Sequence, residues 1–187
     1  MTQPPPPTRS SSLSGLELDD PQQASKPSLL EPARLPDHID ALYRAAYALS
    51  GSRQDAEDLV QETFARVLKR PRFVRRDHEL GYLLRTLRNT FYNSHRAASR
   101  RPETVTLVED NVASAAAEPA FSASEIMNAV ASAPGAYRDA VIAVDVMGMS
   151  YREAARALRA RQETITTRLY RGRRHISRAL TDGANAN

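Results

Sequence analysis

The chain has 187 residues, 41% hydrophobic and 26% charged, with 26 Lys and Arg against 22 Asp and Glu. That length suits one mid-sized domain or two small ones, and the absence of Cys excludes a disulfide framework, a thiolate metal site and a Cys nucleophile. No stretch approaches the ~18 consecutive apolar residues of a membrane span, Met1–Gly15 lacks a signal-peptide core, and seven Gly among many Ala, Leu and Arg argue against an all-β fold.

Residues 1–35 hold Pro4–Pro7 and Ser10–Ser12, lack apolar periodicity and are expected to be a disordered tail. Order is expected near Leu35. Ile39, Leu42, Tyr43, Ala46 and Tyr47 recur at the spacing of one helix face, and Gly51 is placed to end that helix in the left-handed conformation. Ser52 is a cap for a second helix, with Asp55, Glu57 and Asp58 in its first turn, Lys69 and Arg70 in its last, and Pro71 as its stop. Leu59, Val60, Phe64, Val67 and Leu68 make its apolar stripe; Asp58, Gln61, Glu62 and Ala65 fall mostly off it, as a polar, acidic face. A third helix is predicted from about Leu80 to Ala98, with Leu83, Leu84, Leu87 and Phe91 inward and Arg85, Arg88, Asn89, Tyr92, Asn93 and Arg96 pointing elsewhere.

Residues Arg100–Phe121 read as linker. Helical signal returns at Ser122, whose spacing to Glu125 fits a capping box. After a break at Pro134–Gly135, a helix is predicted over Tyr137–Met147, closed by Gly148. Ser150 and Glu153 repeat the capping-box spacing ahead of a short helix to Leu158. A tight connection then leads into a long helix from Gln162 to about Leu180, with Ile165, Leu169, Gly172, Ile176 and Leu180 inward. The fold class expected is all-α: two small helical domains, over 36–101 and 122–181, joined by a flexible acidic linker, the second containing a helix-turn-helix.

Charge is strongly segregated. Arg66, Lys69, Arg70, Arg72, Arg75, Arg76, Arg85, Arg88, Arg96, Arg100 and Arg101 meet only Asp77 and Glu79 in their segment. A second Arg-rich block runs from Arg152 to Arg178, and Pro102–Glu125 between the two carries acids and no base. Two basic blocks, each beside a patterned helix, point to two nucleic-acid-facing modules rather than to two merely solvated faces. In the last helix pair, Ala154 and Ala155 allow a close crossing. Gln162, Glu163, Thr164, Thr166, Thr167 and Arg168 then open the second helix with polar side chains that suit a major groove, and Arg168, Arg171, Arg173 and Arg174 suit phosphates or guanine.

The order of these motifs resembles the extracytoplasmic-function group of bacterial RNA polymerase sigma factors, over roughly Leu35–Leu180. Asp55-Ala-Glu-Asp-Leu-Val-Gln-Glu-Thr-Phe64 is similar to the segment such factors dock on the polymerase clamp, and it is the most specific match. Tyr82-Leu-Leu-Arg-Thr-Leu-Arg-Asn89 is similar to the helix that reads the minus-ten element. Ala136-Tyr-Arg-Asp139 with Met149-Ser-Tyr-Arg-Glu-Ala-Ala155 resembles the start of the second DNA-binding domain, and Glu163–Arg173 the recognition helix for the minus-thirty-five element. The chain departs from the family pattern at Tyr82 (usually Trp), Asn93 (commonly Asp), Arg159 (usually Gly) and Glu163 (usually Gly). A left-handed residue at Arg159 would cost on the order of 1 kcal/mol; the alternative is a turn of another shape.

The resemblance implies a non-enzymatic, cytoplasmic initiation factor without catalytic residues or cofactor. Its implied partners are core RNA polymerase (clamp and flap), promoter DNA and an anti-sigma factor, with no membrane insertion. Asp55, Asp58, Gln61 and Glu62 would bind the polymerase. Arg75, Arg76, Arg85, Arg88, Asn89, Arg96 and Arg100 would bind the minus-ten region, and Gln162, Thr166, Thr167, Arg168, Arg171, Arg173 and Arg174 the minus-thirty-five element. The acidic linker, with Glu103, Glu109, Asp110 and Glu118, is either a nucleic-acid mimic or a solubilising tether. The scattered His38, His78, His95 and His175 lack metal-ligand spacing. Two other function classes compete: a stand-alone helix-turn-helix regulator, which leaves Asp55–Phe64 unexplained, and a sigma mimic that sequesters an anti-sigma factor, which has no need of so many Arg in the last module.

Overall fold

The computed structural model describes residues 26–98 and 121–184. Residues 1–25, residues 99–120 (which hold Arg100 and nearly all of the expected linker) and residues 185–187 lie outside the described residues. Order begins earlier than composition suggests. Ser28–Leu29 forms a short strand, β1, Leu30 is buried, and a 3-10 turn follows over Pro32–His38. The expectation of a disordered tail up to residue 35 is therefore corrected for 28–35. Their apolar side chains are too few to show a period, yet Leu30 and Leu35 both enter the core.

Helix α1 (Ile39–Ser50) ends on Gly51, which takes the left-handed conformation at φ +72°. Its buried face is wider than the predicted stripe. Leu42, Ala45, Ala46, Ala48 and Leu49 are all buried, whereas Ile39 is exposed. The reason is tertiary: α1 is covered by helices on more than one side. Ser52 caps α2 (Arg53–Lys69), its hydroxyl accepting from the Asp55 amide at 3.3 Å. Ala56, Val60, Thr63 and Val67 lie along one line of the 3.6-residue period and face inward, leaving Leu68 exposed. Buried Thr63 donates its hydroxyl to the Leu59 carbonyl at 2.7 Å. Strand β2 (Phe73–Val74) pairs antiparallel with β1, and a 3-10 turn (Arg76–His78) leads into α3 (Glu79–Ala98), whose Leu83, Leu84, Leu87 and Phe91 are buried as expected.

The second half opens with α4 (Ala123–Ser132), started by the Ser122–Glu125 capping box. Pro134 precedes α5 (Gly135–Val141), which runs into a π-helical turn (Ile142–Val146) and closes near left-handed Gly148, φ +71°. The Ser150–Glu153 box starts α6 (Tyr151–Leu158), and α7 spans Gln162–Ala184, one turn longer than predicted. Gly172 lets α7 lie against α5. A Cβ there would stand 2.7 Å from Val141 Cγ2 and 3.2 Å from the Tyr137 carbonyl oxygen.

The two helical modules are not held apart. Helices α1 and α4, and α3 and α6, pack against each other, and one apolar cluster runs from Leu42, Leu83 and Leu87 to Ile142, Ile165 and Leu169. Among the described residues no helix is long and apolar enough to cross a membrane.

Candidate polymerase and nucleic-acid interfaces

The acidic face of α2 follows from its cap. Ser52 sets the helix start, so Asp55, Asp58 and Glu62 fall on consecutive turns of one side. All three are exposed, as is Gln61. Asp55, Asp58 and Glu62 border a cleft with Ser50, Thr90 and His95. Glu62 Oε1 accepts from Arg66 Nε at 2.6 Å, an exposed pair one turn on. The four predicted polymerase-binding side chains thus form one solvent-facing surface.

The minus-ten set is divided. Arg85, Asn89 and Asn93 line a broad cleft between α2 and α3 whose other walls include Lys69, Arg70, Arg72, Tyr82 and the Glu62–Arg66 pair, with Arg159 reaching its rim from the helix-turn-helix. This cleft concentrates cations with an aromatic ring and amides, the chemistry of a backbone-tracking groove. Arg85 feels the crowding. Burial, then the charges of Arg159 and Arg88, pull its guanidinium below the usual arginine range. Its Nη2 and Nε donate to the carbonyls of Arg156 and Ala157, at 2.9 and 3.2 Å, at the end of α6. Arg75 and Arg76 flank the loop before α3, and Arg75 pairs with Asp77 at 3.2 Å. Arg96 is exposed near the end of α3.

Arg88 lies elsewhere. Its Nη2 donates at 2.5 Å to Asp139 Oδ2, on α5 of the other module, and Tyr92 donates to Asp139 Oδ1 at 3.0 Å. Asp139 is only 5% exposed. Arg138 donates to the carbonyls of Ala131 and Leu49, at 3.0 and 3.4 Å, and stacks over the Phe91 and Tyr92 rings. Arg88 and Tyr92 therefore belong to a polar seam between the modules and do not face solvent with Asn89. Burial, ahead of the charged neighbours, pushes the Tyr92 hydroxyl above its usual range.

The helix-turn-helix has the predicted parts. Arg159 adopts the left-handed conformation, φ 51° and ψ 48°, settling the open choice of turn shape: here a side-chain-bearing residue sits where Gly would be unstrained. Ala154, Ala155 and Ala157 are buried; α6 packs on both α7 and α3, and Ala157 faces Gly81 of α3, where a Cβ would stand 3.4 Å away. Gln162, Thr166, Thr167 and Arg174 are exposed, and the two Thr hydroxyls donate back to the carbonyls of Gln162 and Glu163. Arg168 is half-buried. Arg171 donates to the Tyr137 hydroxyl at 3.1 Å. Arg173 forms a two-point pair with Asp145, at 2.6 and 3.0 Å, which raises its guanidinium above the usual range. It sits on the side of α7 that faces the π turn, away from Arg174.

Residues 37–101 match sigma-70 region 2, and residues 123–176 match sigma-70 region 4. The chain is 34% identical over 156 residues to the ECF RNA polymerase sigma factor EcfG of Rhodopseudomonas palustris, covering 78% of this chain and 83% of that protein. The chain belongs to the extracytoplasmic-function sigma factors. It is also 34% identical over 161 residues to SigE of Mycolicibacterium smegmatis, covering 82% of this chain and 62% of that protein. BldN of Streptomyces coelicolor is 29% identical over 155 residues, covering 79% and 59%. The chain thus spans about three fifths of the length of these last two relatives. Two solved structures share the fold. One is the sigma factor RpoE in complex with the anti-sigma factor NepR from Bartonella quintana (TM-score 0.65, 24% identity, 80% of this chain and 95% of that one). The other is CnrH in complex with the cytosolic domain of CnrY (TM-score 0.53, 20% identity, 81% and 86%).

In the vocabulary of this family, α1–α3 form region 2 and α4–α7 form region 4. Sequence reasoning missed three parts of the site. Arg66, Lys69, Arg70 and Arg72, which the sequence marks only by their charge, line the same cleft as Arg85 and Asn89; the density of cations between α2 and α3 is the available signal. Arg159 was noted only as a turn residue. Asp139 was read as part of a family motif, and nothing in its neighbours along the chain announces that it takes hold of Arg88, 51 residues away.

Proposed function

We propose that this sigma factor binds core RNA polymerase through the α2 surface of Asp55, Asp58, Gln61 and Glu62, directs it to specific promoters and helps open the DNA. The observation that carries this reading is the co-occurrence, in family order, of an acidic exposed helix face, a cationic cleft and an exposed recognition-helix edge. The acidic face meets basic clamp residues and sets orientation and on-rate. The cleft of Arg66, Lys69, Arg70, Arg72, Arg85 and Asn89 follows the phosphates and bases of the minus-ten strand as it leaves the duplex, with Arg75, Arg76, Arg96 and Arg100 beside it. Gln162, Thr166, Thr167, Arg168 and Arg174 meet the minus-thirty-five element in the major groove, with Arg171 and Arg173 supporting the helix from behind. The protein acts in the cytoplasm, without catalysis of its own. An anti-sigma factor is its expected regulator, a reading supported by the NepR and CnrY complexes of the structural relatives.

Arg85 and Arg88 are held by region 4 in the arrangement described above. DNA reading by those two side chains requires region 4 to leave α3, so the closed arrangement is the inactive one. Run-off transcription with purified core polymerase on a library of promoter fragments tests the function. Synthesis that depends on this chain and fails in the Asp58→Lys/Glu62→Lys variant supports a sigma factor. Tight core binding without synthesis points to a sigma mimic, and no core binding to a stand-alone regulator.

A further inference from the structure

Residues 26–36 lie outside both matched family segments, and the scheme above gives them no task. Their placement is nonetheless specific. Ser28 and Leu29 pair with Val74 and Phe73 in the antiparallel ladder, and the Leu30 amide donates to the Arg72 carbonyl at 3.3 Å. Leu30 and Leu35 are 4% and 6% exposed. Arg34 Nη1 donates to Glu79 Oε1 at 2.7 Å, and His38 Nε2 lies 3.3 Å from Glu79 Oε2. Glu79 is 1% exposed and opens α3, directly after the Arg75–His78 loop.

A carboxylate this deeply buried persists only when paired and hydrogen-bonded. Both side-chain partners come from the N-terminal segment. Its position in the first turn of α3 adds the favourable end of the helix dipole. Glu79 therefore joins the N-terminal segment, the end of the promoter-reading loop and the start of the helix that carries Arg85 and Asn89. The loop itself concentrates Arg70, Arg72, Arg75 and Arg76 within a few residues. Within the loop Arg75 is paired with Asp77, and a loop of this length cut loose from its neighbours has more conformations to sample. Ordering it before DNA arrives removes part of the entropy lost on strand capture.

We propose that the segment Lys26–His38 is a working part of the minus-ten apparatus: by its ladder to β2 and by Arg34 and His38 on Glu79, it holds the Arg72–His78 loop in the conformation that receives the unpaired strand. Arg34, His38 and Glu79 are positioning residues, acting through the loop and not on DNA. The proposal rests on the sigma-factor reading. Its consequence is selective. Losing the tether slows strand opening on duplex DNA but spares core binding, and it spares initiation where the strands are already apart.

The test uses full-length protein, core polymerase and a promoter selected by the wild type, offered as duplex and as the same DNA with a mismatched minus-ten segment. Arg34→Met should lower run-off synthesis on the duplex about tenfold while staying within about twofold of wild type on the mismatched template, the span of one charge-assisted hydrogen bond. Arg34→Lys should restore part of the loss. Arg34→Met/Glu79→Gln removes both charges, so no unpaired buried carboxylate is left to unfold the chain, and should show the same template dependence. Equal losses on both templates, or duplex activity unchanged in every variant beside an active wild type, would overturn the proposal while leaving the sigma reading intact. A wild type inactive on both templates would overturn that reading, and the proposal with it.

Discussion

Asp139 pairs with Arg88 and Tyr92 across the two modules, and its removal can be sized. The carboxylate is 5% exposed and accepts from both Arg88 and Tyr92. Asp139→Ala leaves the Arg88 guanidinium without an anion. Breaking a buried pair this way costs about 3–5 kcal/mol when both charges are fully enclosed. Arg88 keeps 21% side-chain exposure and lies over the Tyr92 ring at 5.6 Å, so about 2–3 kcal/mol is the reasoned loss. The pair spans region 2 and region 4, so the loss falls first on their docking. A loss of about 2 kcal/mol is about a thirtyfold shift toward the undocked form. The absence of Cys makes the assay clean. Gln54→Cys on α2 and Arg178→Cys on α7, both exposed, carry a donor and acceptor for single-molecule energy transfer. The Asp139→Ala chain should populate a low-transfer state that the parent lacks, and Arg88→Met/Asp139→Ala should lose less than the two single changes together. An unchanged transfer histogram, or strictly additive losses, would refute the seam as the element that holds the modules closed.

Two further outcomes follow from single side chains. Ser150→Ala removes the α6 capping box and should cost about 1 kcal/mol at neutral pH by urea denaturation. Hydrogen bonds from the Ser150 hydroxyl hold the Glu153 carboxyl below the usual glutamate range. A depressed carboxylate stabilises at pH above its unfolded value and loses that contribution as pH falls through the folded one. The gap between parent and variant should therefore close on acidification; a gap that widens toward acid would show the sign wrong. On a minus-thirty-five duplex, Arg174→Ala should weaken binding and reduce the salt slope by about one, whereas Arg173→Ala, whose guanidinium is spent on Asp145, should leave the slope unchanged in a binding titration.

The parts of the fold legible in sequence are those written in neighbouring residues. Ser52, Ser122 and Ser150 announce helix starts, and each caps as expected. Gly51 announces a stop by left-handed backbone, and the α3 stripe Leu83, Leu84, Leu87 and Phe91 is buried as read. The errors sit where a helix has more than one neighbour. Ile39 and Leu68 are apolar and exposed, while Ala45, Ala48 and Thr63 are buried, because packing from several sides rewards small residues that a single-stripe pattern overlooks. Within the site, the exposed acidic face of α2 and the outer edge of α7 could be read from spacing. The orientations of Arg88 and Arg173 could not, because each is set by a carboxylate distant in sequence, Asp139 and Asp145.

By itself, the chain's sequence determined seven helices, their caps, the separation of acidic from basic surfaces and the sigma-factor family, since capping, helical period and charge runs are local properties. Only the tertiary structure decided that the two modules share one apolar core, that Asp139 pairs with Arg88 across them, and that residues 28–35 pack onto the first module. Burial of a charge is tolerable only where a partner meets it in space, and that meeting depends on how the helices pack rather than on the order of residues along them.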